Sequence, residues 1–156
     1  MTPSDPSQLA PLQGLKVLEF GQYIAVPAAA QMLGDLGADV IKVEPLAGDA
    51  ARQVGWVADA YGPMFSAYNR GKRSVVLDLS SELGRKQAQA LACSADVVLQ
   101  NARPGTMDRQ GLGAESLMAS SPRLVYGQVS GFGQSGPASL RPGFDIAAQA
   151  ESGMIS

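Results

Sequence analysis

The chain predicts an open, doubly wound parallel α/β sheet with helices on both faces, and three observations lead there. Short apolar strands alternate with helical stretches along almost its whole length. The first strand, helix and strand follow one another within about thirty residues, which is the span of a βαβ unit and requires parallel strands joined by a right-handed crossover. The composition is that of an ordinary globular domain: 156 residues, 46% hydrophobic and 17% charged, enough to bury one core.

Each element has its own signal. Met1 to Ala10 is polar and proline-containing and reads as a flexible leader, with the domain running from Pro11 to Ser156. Leu15 to Phe20 is a short apolar strand, and Pro27 opens a helix that runs to Leu36 and stops at Gly37, where a left-handed residue closes a helix at little cost. Asp39 to Val43 is the second strand. Glu44 to Lys72 has no clean period and reads as a long loop with a short helix near Met64 to Tyr68. Ser74 to Leu79 is a β-branched strand, and Ser81 to Ser94 is a helix that Ser80 or Ser81 can cap. Asp96 to Leu99 is a strand, Thr106 to Gln110 and Ala114 to Ala119 are short helical pieces, and Leu124 to Val129 is a strand. A glycine-rich segment, Ser130 to Gly143, then leads into a last helical run from Asp145 to about Ser152.

Composition also excludes several functions. A formal net charge of −2 offers no general attraction to nucleic acid or to an anionic membrane. There is no histidine, so the commonest general base and metal ligand is missing, and a zinc site would need carboxylates almost alone. No metal site is expected. The single cysteine, Cys93, lies in an apolar helical stretch and reads as a small buried hydrophobe. Without a bilayer-length apolar run or a signal-peptide pattern in the leader, a cytoplasmic, reducing compartment is the expected location.

In an open parallel sheet, ligands sit in the crevice at the carboxyl ends of the strands. That rule singles out Gly21 to Val26, Glu44 to Asp49, Asp78 to Ser81, Gln100 to Gly105 and Ser130 to Asp145. The first of these lacks the G-x-G-x-x-G pattern that a dinucleotide needs. Gly71-Lys72-Arg73-Ser74 precedes a strand instead of opening a helix, so it is not a phosphate loop. Lys72 and Arg73 read equally well as solvated charges. Asn101-Ala102-Arg103-Pro104-Gly105 with Arg109 can hold a phosphate and an adenine edge, although composition alone favours a polar turn with surface arginines. Asp145, following Phe144, reads both as the N-cap of the last helix and as a ligand contact.

Taken in order, Leu15-Lys16-Val17-Leu18-Glu19-Phe20, Leu33-Gly34-Asp35-Leu36-Gly37-Ala38-Asp39-Val40-Ile41-Lys42-Val43-Glu44, Gly48-Asp49, Asn69-Arg70-Gly71-Lys72-Arg73-Ser74 and Leu77-Asp78-Leu79 resemble the class III CoA-transferases. Asn101 to Gly105, Gly131-Phe132-Gly133-Gln134-Ser135-Gly136-Pro137 and Arg141-Pro142-Gly143-Phe144-Asp145 continue the resemblance. It implies the N-terminal portion of a Rossmann-like large domain that binds coenzyme A, with the small domain and remainder following in the chain, in an interlocked homodimer. The family's CoA contacts fall by motif on Ile24, Ala25, Leu77, Asp78, Asn101, Ala102, Arg103, Arg109, Phe144 and Asp145. CoA and acyl-CoA are substrates in the family, alongside a carboxylic acid, and no tightly bound cofactor is implied.

Three departures stand out. Ser80 occupies the place of a common lysine, Pro45 that of a frequent arginine, with Arg52 nearby in sequence, and Ala102 that of the usual aromatic. The resemblance also implies a mechanism in which an aspartate attacks the acyl-CoA thioester and passes through an aspartyl-CoA thioester. By motif, that aspartate falls beyond Ser156, so no catalytic residue is assigned within the chain. The related racemases carry histidine at the position of Phe144, a side chain that cannot exchange a proton. The alternatives are therefore a racemase of the same superfamily or a non-catalytic CoA-binding fragment.

Overall fold

A computed structural model describes residues 10–56 and 61–155. Five parallel strands form one sheet: β1 (Lys16–Phe20), β2 (Asp39–Glu44), β3 (Arg73–Val76), β4 (Val97–Gln100) and β5 (Val125–Gln128). Their spatial order is β3-β2-β1-β4-β5. The chain thus winds outward from β1 in one direction, returns across the sheet, and winds outward in the other. Leu18 lies between Ile41 on one side and Val98 on the other, which fixes the register of the central three strands.

Strand alternation assigns the side chains to two faces. On one face, Leu18, Phe20, Val43 and Val98 meet Ala88 and Ala92 of α3 (Glu82–Cys93), with Met107 of the short helix α4 (Thr106–Arg109) and Leu117 of α5 (Ala114–Ser120). Full burial of each large apolar side chain contributes about 1.5–3 kcal/mol, so this face supplies most of the hydrophobic stabilisation. On the other face, Val17 and Val40 pack on Ala30 of α1 (Ala25–Asp35). The same face turns polar toward the strand ends, where Glu19, Lys42 and Glu44 are fully buried under α1, a 3₁₀ turn at Ala50–Gln53 and α2 (Pro63–Asn69).

The expected elements are present, with differences that have local causes. Helix α1 begins two residues before Pro27, which the first turn tolerates because its N–H would have no partner there. It closes on Gly37 (φ 102°), with Gly37 N–H bonded to the Gly34 carbonyl and Ala38 N–H to that of Leu33, a Schellman closure. Strand β3 ends earlier than its β-branched run suggests. Leu77 still donates to the Glu44 carbonyl, but Asp78 Oδ1 then accepts from Ser80 N and Oγ and turns the chain away from the sheet. Ser81, not Ser80, caps α3 by accepting from Gly84 N at 3.0 Å.

Four sequence readings are corrected or displaced. Cys93 is exposed: the inward face of α3 repeats through Gly84, Ala88 and Ala92, and Cys93 lies one step round the helix from it. The Lys72 side chain is buried and ion-paired, not solvated, while Arg73 is exposed and paired with Asp39. Asp145 is the first residue of α6 (Asp145–Glu151), whose N-cap position is Phe144, so the capping alternative for Asp145 falls; its carboxylate accepts from Gln149 Nε2. The leader, apart from Ala10, lies outside the described residues.

Gly84 gives a direct test of the α3 junction. A Cβ built there would stand 2.0 Å from the Asp78 carbonyl oxygen. Gly84→Ala is therefore expected to lower stability by about 1–3 kcal/mol, although alanine is the better helix former. A thermal melt followed by circular dichroism checks it; an unchanged or raised midpoint would refute the contact.

Candidate functional site

The strand order reverses between β1 and β4, and a crevice of about 530 Å³ opens there at the carboxyl ends of the strands. Loops after β1 and β4 form its floor and are clamped to one another. Asn101 Oδ1 accepts from Gln22 N at 2.9 Å, while Asn101 Nδ2 donates to the Gln22 carbonyl at 2.8 Å. One amide side chain thereby satisfies both main-chain groups of Gln22 and sets the separation of the two loops. Helix α1 starts at this floor with no side-chain cap and no acidic residue in its first turn, so its N-terminal end presents positive partial charge to the crevice.

The upper wall comes from the glycine-rich segment after β5. Gly131 and Gly143 meet backbone to backbone: a Cβ on either would stand 2.4 Å from the other's Cα. This contact closes the segment into a lobe and brings Arg141 to Asp145 over the crevice. Phe144 meets Tyr23 edge to face at 6.5 Å between ring centres. Arg141 lies over the Phe132 ring at 4.9 Å and pairs with Glu151. Ser130 Oγ, buried in the wall, has no hydrogen-bond partner among the described residues, which leaves a polar group for a ligand to satisfy.

The crevice collects seven of the ten site residues expected from the sequence: Ile24, Ala25, Asn101, Ala102, Arg103, Phe144 and Asp145. Leu77, Asp78 and Arg109 lie outside its lining. Leu77 is buried in the core. Asp78 sits in the turn after β3, where Ser80's hydroxyl and amide hold its carboxyl below the ordinary aspartate range. Arg109 is exposed on α4, where its Nη2 donates to Thr106 Oγ1 at 3.3 Å. Gln22, Tyr23, Met64 and Ser130 also line the crevice. Tyr23, Gln22 and Ser130 fall within crevice segments legible from the strand pattern, but their individual roles needed the fold. Met64 comes from α2, inside the stretch with no periodicity. Among the described residues no cluster of His, Cys, Asp or Glu can hold a metal ion, and no helix is long and apolar enough to cross a membrane.

Beneath the floor lies a buried network of charges. Glu19 Oε1 accepts from Lys42 Nζ at 2.9 Å and Oε2 from Lys72 Nζ at 2.6 Å. Lys42 also faces Asp49 Oδ2 at 2.8 Å. Burial pushes Lys72 down from the ordinary lysine range, against the attraction of Glu19. Beside them, Glu44 receives Nε and Nη2 of Arg52, each at 2.7 Å, together with Ser74 Oγ and the Asp49 amide. The Arg52 guanidinium also stacks over Phe65, 3.6 Å from the ring centre, so the arginine near Pro45 is engaged in the fold. Burial opposes ionisation of Glu44, but the bonds from Arg52, Ser74 and Asp49 outweigh it and hold the carboxyl at about 2.

Comparison with known proteins places this architecture. The model of CoA-transferase family III matches residues 12–156. A probable fatty acyl-CoA transferase of Mycobacterium tuberculosis is 46% identical over 159 residues, covering 100% of this chain and 40% of that protein. The human succinyl-CoA:glutarate CoA-transferase is 39% identical over 156 residues, with 97% and 35% coverage. A crystal structure of the mycobacterial protein superposes with a TM-score of 0.86 at 46% identity over 93% of this chain. A CAIB/BAIF family protein of Brucella suis gives 0.87 at 43% over 94%. In both structures the matched part is 40% of the other chain. The chain thus spans about 35–40% of the length of these relatives.

The Glu44 pairing sets an acid limit on stability. Its folded-state value lies below the ordinary 4.5, so its contribution is complete above pH 4.5 and is lost as pH falls through about 2. Glu44→Gln is expected to cost on the order of 3 kcal/mol at about neutral pH, with the difference from wild type shrinking across that acid window. Urea unfolding at a series of pH values measures it; a difference that stays constant with pH would refute the assignment.

Proposed function

The chain belongs to the CoA-transferase family III, and from that premise we propose that its crevice binds the coenzyme A part of an acyl-CoA substrate in a cytoplasmic enzyme that moves CoA between an acyl-CoA donor and a carboxylic acid acceptor. The observation that carries this reading is the convergence of Ile24, Ala25, Asn101, Arg103 and Phe144 on one crevice at the sheet's switch point. An exposed guanidinium at Arg103 and the uncapped end of α1 suit phosphate oxygens. The Tyr23–Phe144 wall suits the less polar part of a thioester. Phe144 has no proton to exchange, which favours transfer over racemisation.

On this reading, Leu77, Asp78 and Arg109 belong to an extension of the site along the same edge of the sheet, toward the far end of a ligand longer than the crevice. The covalent steps run through an aspartate carboxylate beyond Ser156. It attacks the acyl-CoA carbonyl and expels CoA thiolate. The thiolate then attacks the resulting mixed anhydride, forming an aspartyl-CoA thioester and releasing the donor acid as its carboxylate. The acceptor carboxylate next attacks the aspartyl-CoA carbonyl and expels thiolate, leaving a second anhydride. Thiolate attack at its acceptor acyl carbon completes the new acyl-CoA and regenerates the aspartate. The part of the chain described here positions CoA for those steps, within an interlocked homodimer of the longer protein.

Three outcomes test the reading. Arg103→Ala is expected to weaken CoA binding by about 1–3 kcal/mol in calorimetry, through loss of a charge-assisted hydrogen bond. Arg109→Ala should weaken it comparably if the site extends to α4; unchanged affinity in a folded Arg109→Ala variant would confine the site to the crevice. The 156-residue chain alone is expected to show no thioester exchange with acyl-CoA donors and carboxylate acceptors followed by mass spectrometry. Exchange that is abolished by Asp145→Asn would place the nucleophile in this chain instead.

A further inference from the structure

Among the described residues, Tyr23 is the only non-glycine residue with a positive φ, at 63°, and it stands in the wall of the crevice. An aromatic residue occupies that conformation only where its surroundings impose it. Its ring does not impose it, since Tyr23 is 40% exposed and its one ring partner, Phe144, is itself exposed. The constraint lies behind the loop. Lys42 Nζ donates to the Gly21 carbonyl at 2.6 Å, Asp49 Oδ1 accepts the Tyr23 amide at 3.3 Å, and Lys72 Nζ donates to the Pro27 carbonyl at 2.8 Å. Three buried charged side chains thus each hold a main-chain group of one seven-residue segment, 21–27, and Glu19 ties the two lysines together.

A buried ion network is a poor route to stability, because apolar packing of similar volume serves as well or better. Apolar side chains, however, cannot hold a carbonyl and an amide in place. We propose that Asp49, Lys42 and Lys72 are positioning residues, whose buried network fixes the backbone of 21–27, with Tyr23 in its left-handed conformation, in the shape that the crevice presents to its ligand. This rests on the crevice being the CoA site. Asp49 is the most sensitive member. Oδ1 accepts from the Tyr23 and Ala51 amides, while Oδ2 lies 2.8 Å from the Lys42 ammonium in an ion pair without hydrogen-bond geometry, so one oxygen serves the amides and the other must carry negative charge toward Lys42. An asparagine turns its NH₂ toward either the ammonium or the amides and breaks one arm in either orientation.

The test uses the 156-residue chain, free CoA and two readouts: calorimetric affinity, and amide hydrogen exchange across residues 21–26. Asp49→Asn is expected to weaken CoA binding about tenfold or more and to speed exchange in the loop, since binding groups must be held to a fraction of an ångström. Leu117→Ala, in the core away from the crevice, is expected to lower the melting temperature while leaving CoA affinity and loop exchange as in wild type, which separates positioning from stability. Tyr23→Gly, at an exposed site where folding is not at risk, frees the left-handed position and is expected to weaken CoA binding as well. Wild-type binding with unchanged affinity in Tyr23→Gly and in folded Asp49→Asn would overturn the inference alone. A wild-type chain that takes up no CoA would overturn the reading of the site, and the proposed ligand of the positioned loop with it.

Discussion

A single carboxylate ties together the three strands of one half of the sheet. Glu19, at the carboxyl end of the central strand, bonds Lys42 of β2 through one oxygen and Lys72, just before β3, through the other. The side chains of both partners are buried, and each would be costly to leave unmatched. The loop after β1, the first turn of α1 and the entry to β3 are all set by this one group. Because side chains alternate along a strand, putting Glu19 on one face of the sheet obliges Leu18 and Phe20 to serve the other. The polar anchor and the apolar core are thus built from consecutive residues.

This arrangement explains why the two faces of the sheet differ. The face covered by α3 and α5 is mainly apolar and carries the hydrophobic stabilisation, with Gln100 bonded to Gln128 at its carboxyl end. The face covered by α1 and α2 is apolar toward the amino ends of β1 and β2, and in those two strands becomes ionic beneath the crevice. A crevice floor built on buried charges is stiff in a way that a hydrocarbon floor is not, since hydrogen bonds fix direction as well as distance. The clamp between Asn101 and Gln22 adds a lateral constraint across the switch point.

Much of the fold was legible because strand and helix periods are local. The βαβ opening, the helix stop at Gly37 and the Ser81 start each depend on a few neighbouring residues, and they are where the pattern places them. The crevice was legible for a topological reason: strand ends in a doubly wound sheet point to it whatever the side chains are. What was not legible depended on pairing across distance. Lys72 looks like a solvated charge until β1 is known to carry Glu19 opposite it, 53 positions earlier. Arg52 stands near Pro45 in sequence, and only the fold shows that Glu44 and Phe65 enclose it. Met64 entered the crevice from a stretch with no period, and Cys93 turned outward by one step of a helix.

The Gly131–Gly143 contact has a consequence for how the chain can vary. Where two side chains touch, as Leu18 and Val98 do in paired strands, enlargement of one can be met by reduction of the other, and the pair can drift together while its volume is conserved. Gly131 and Gly143 have nothing to give up: each already lacks a side chain, and each α-carbon closes the space the other would need. No compensating partner exists for a change at either position, so the two are bound to stay the same independently and will show no covariation, although they are in contact.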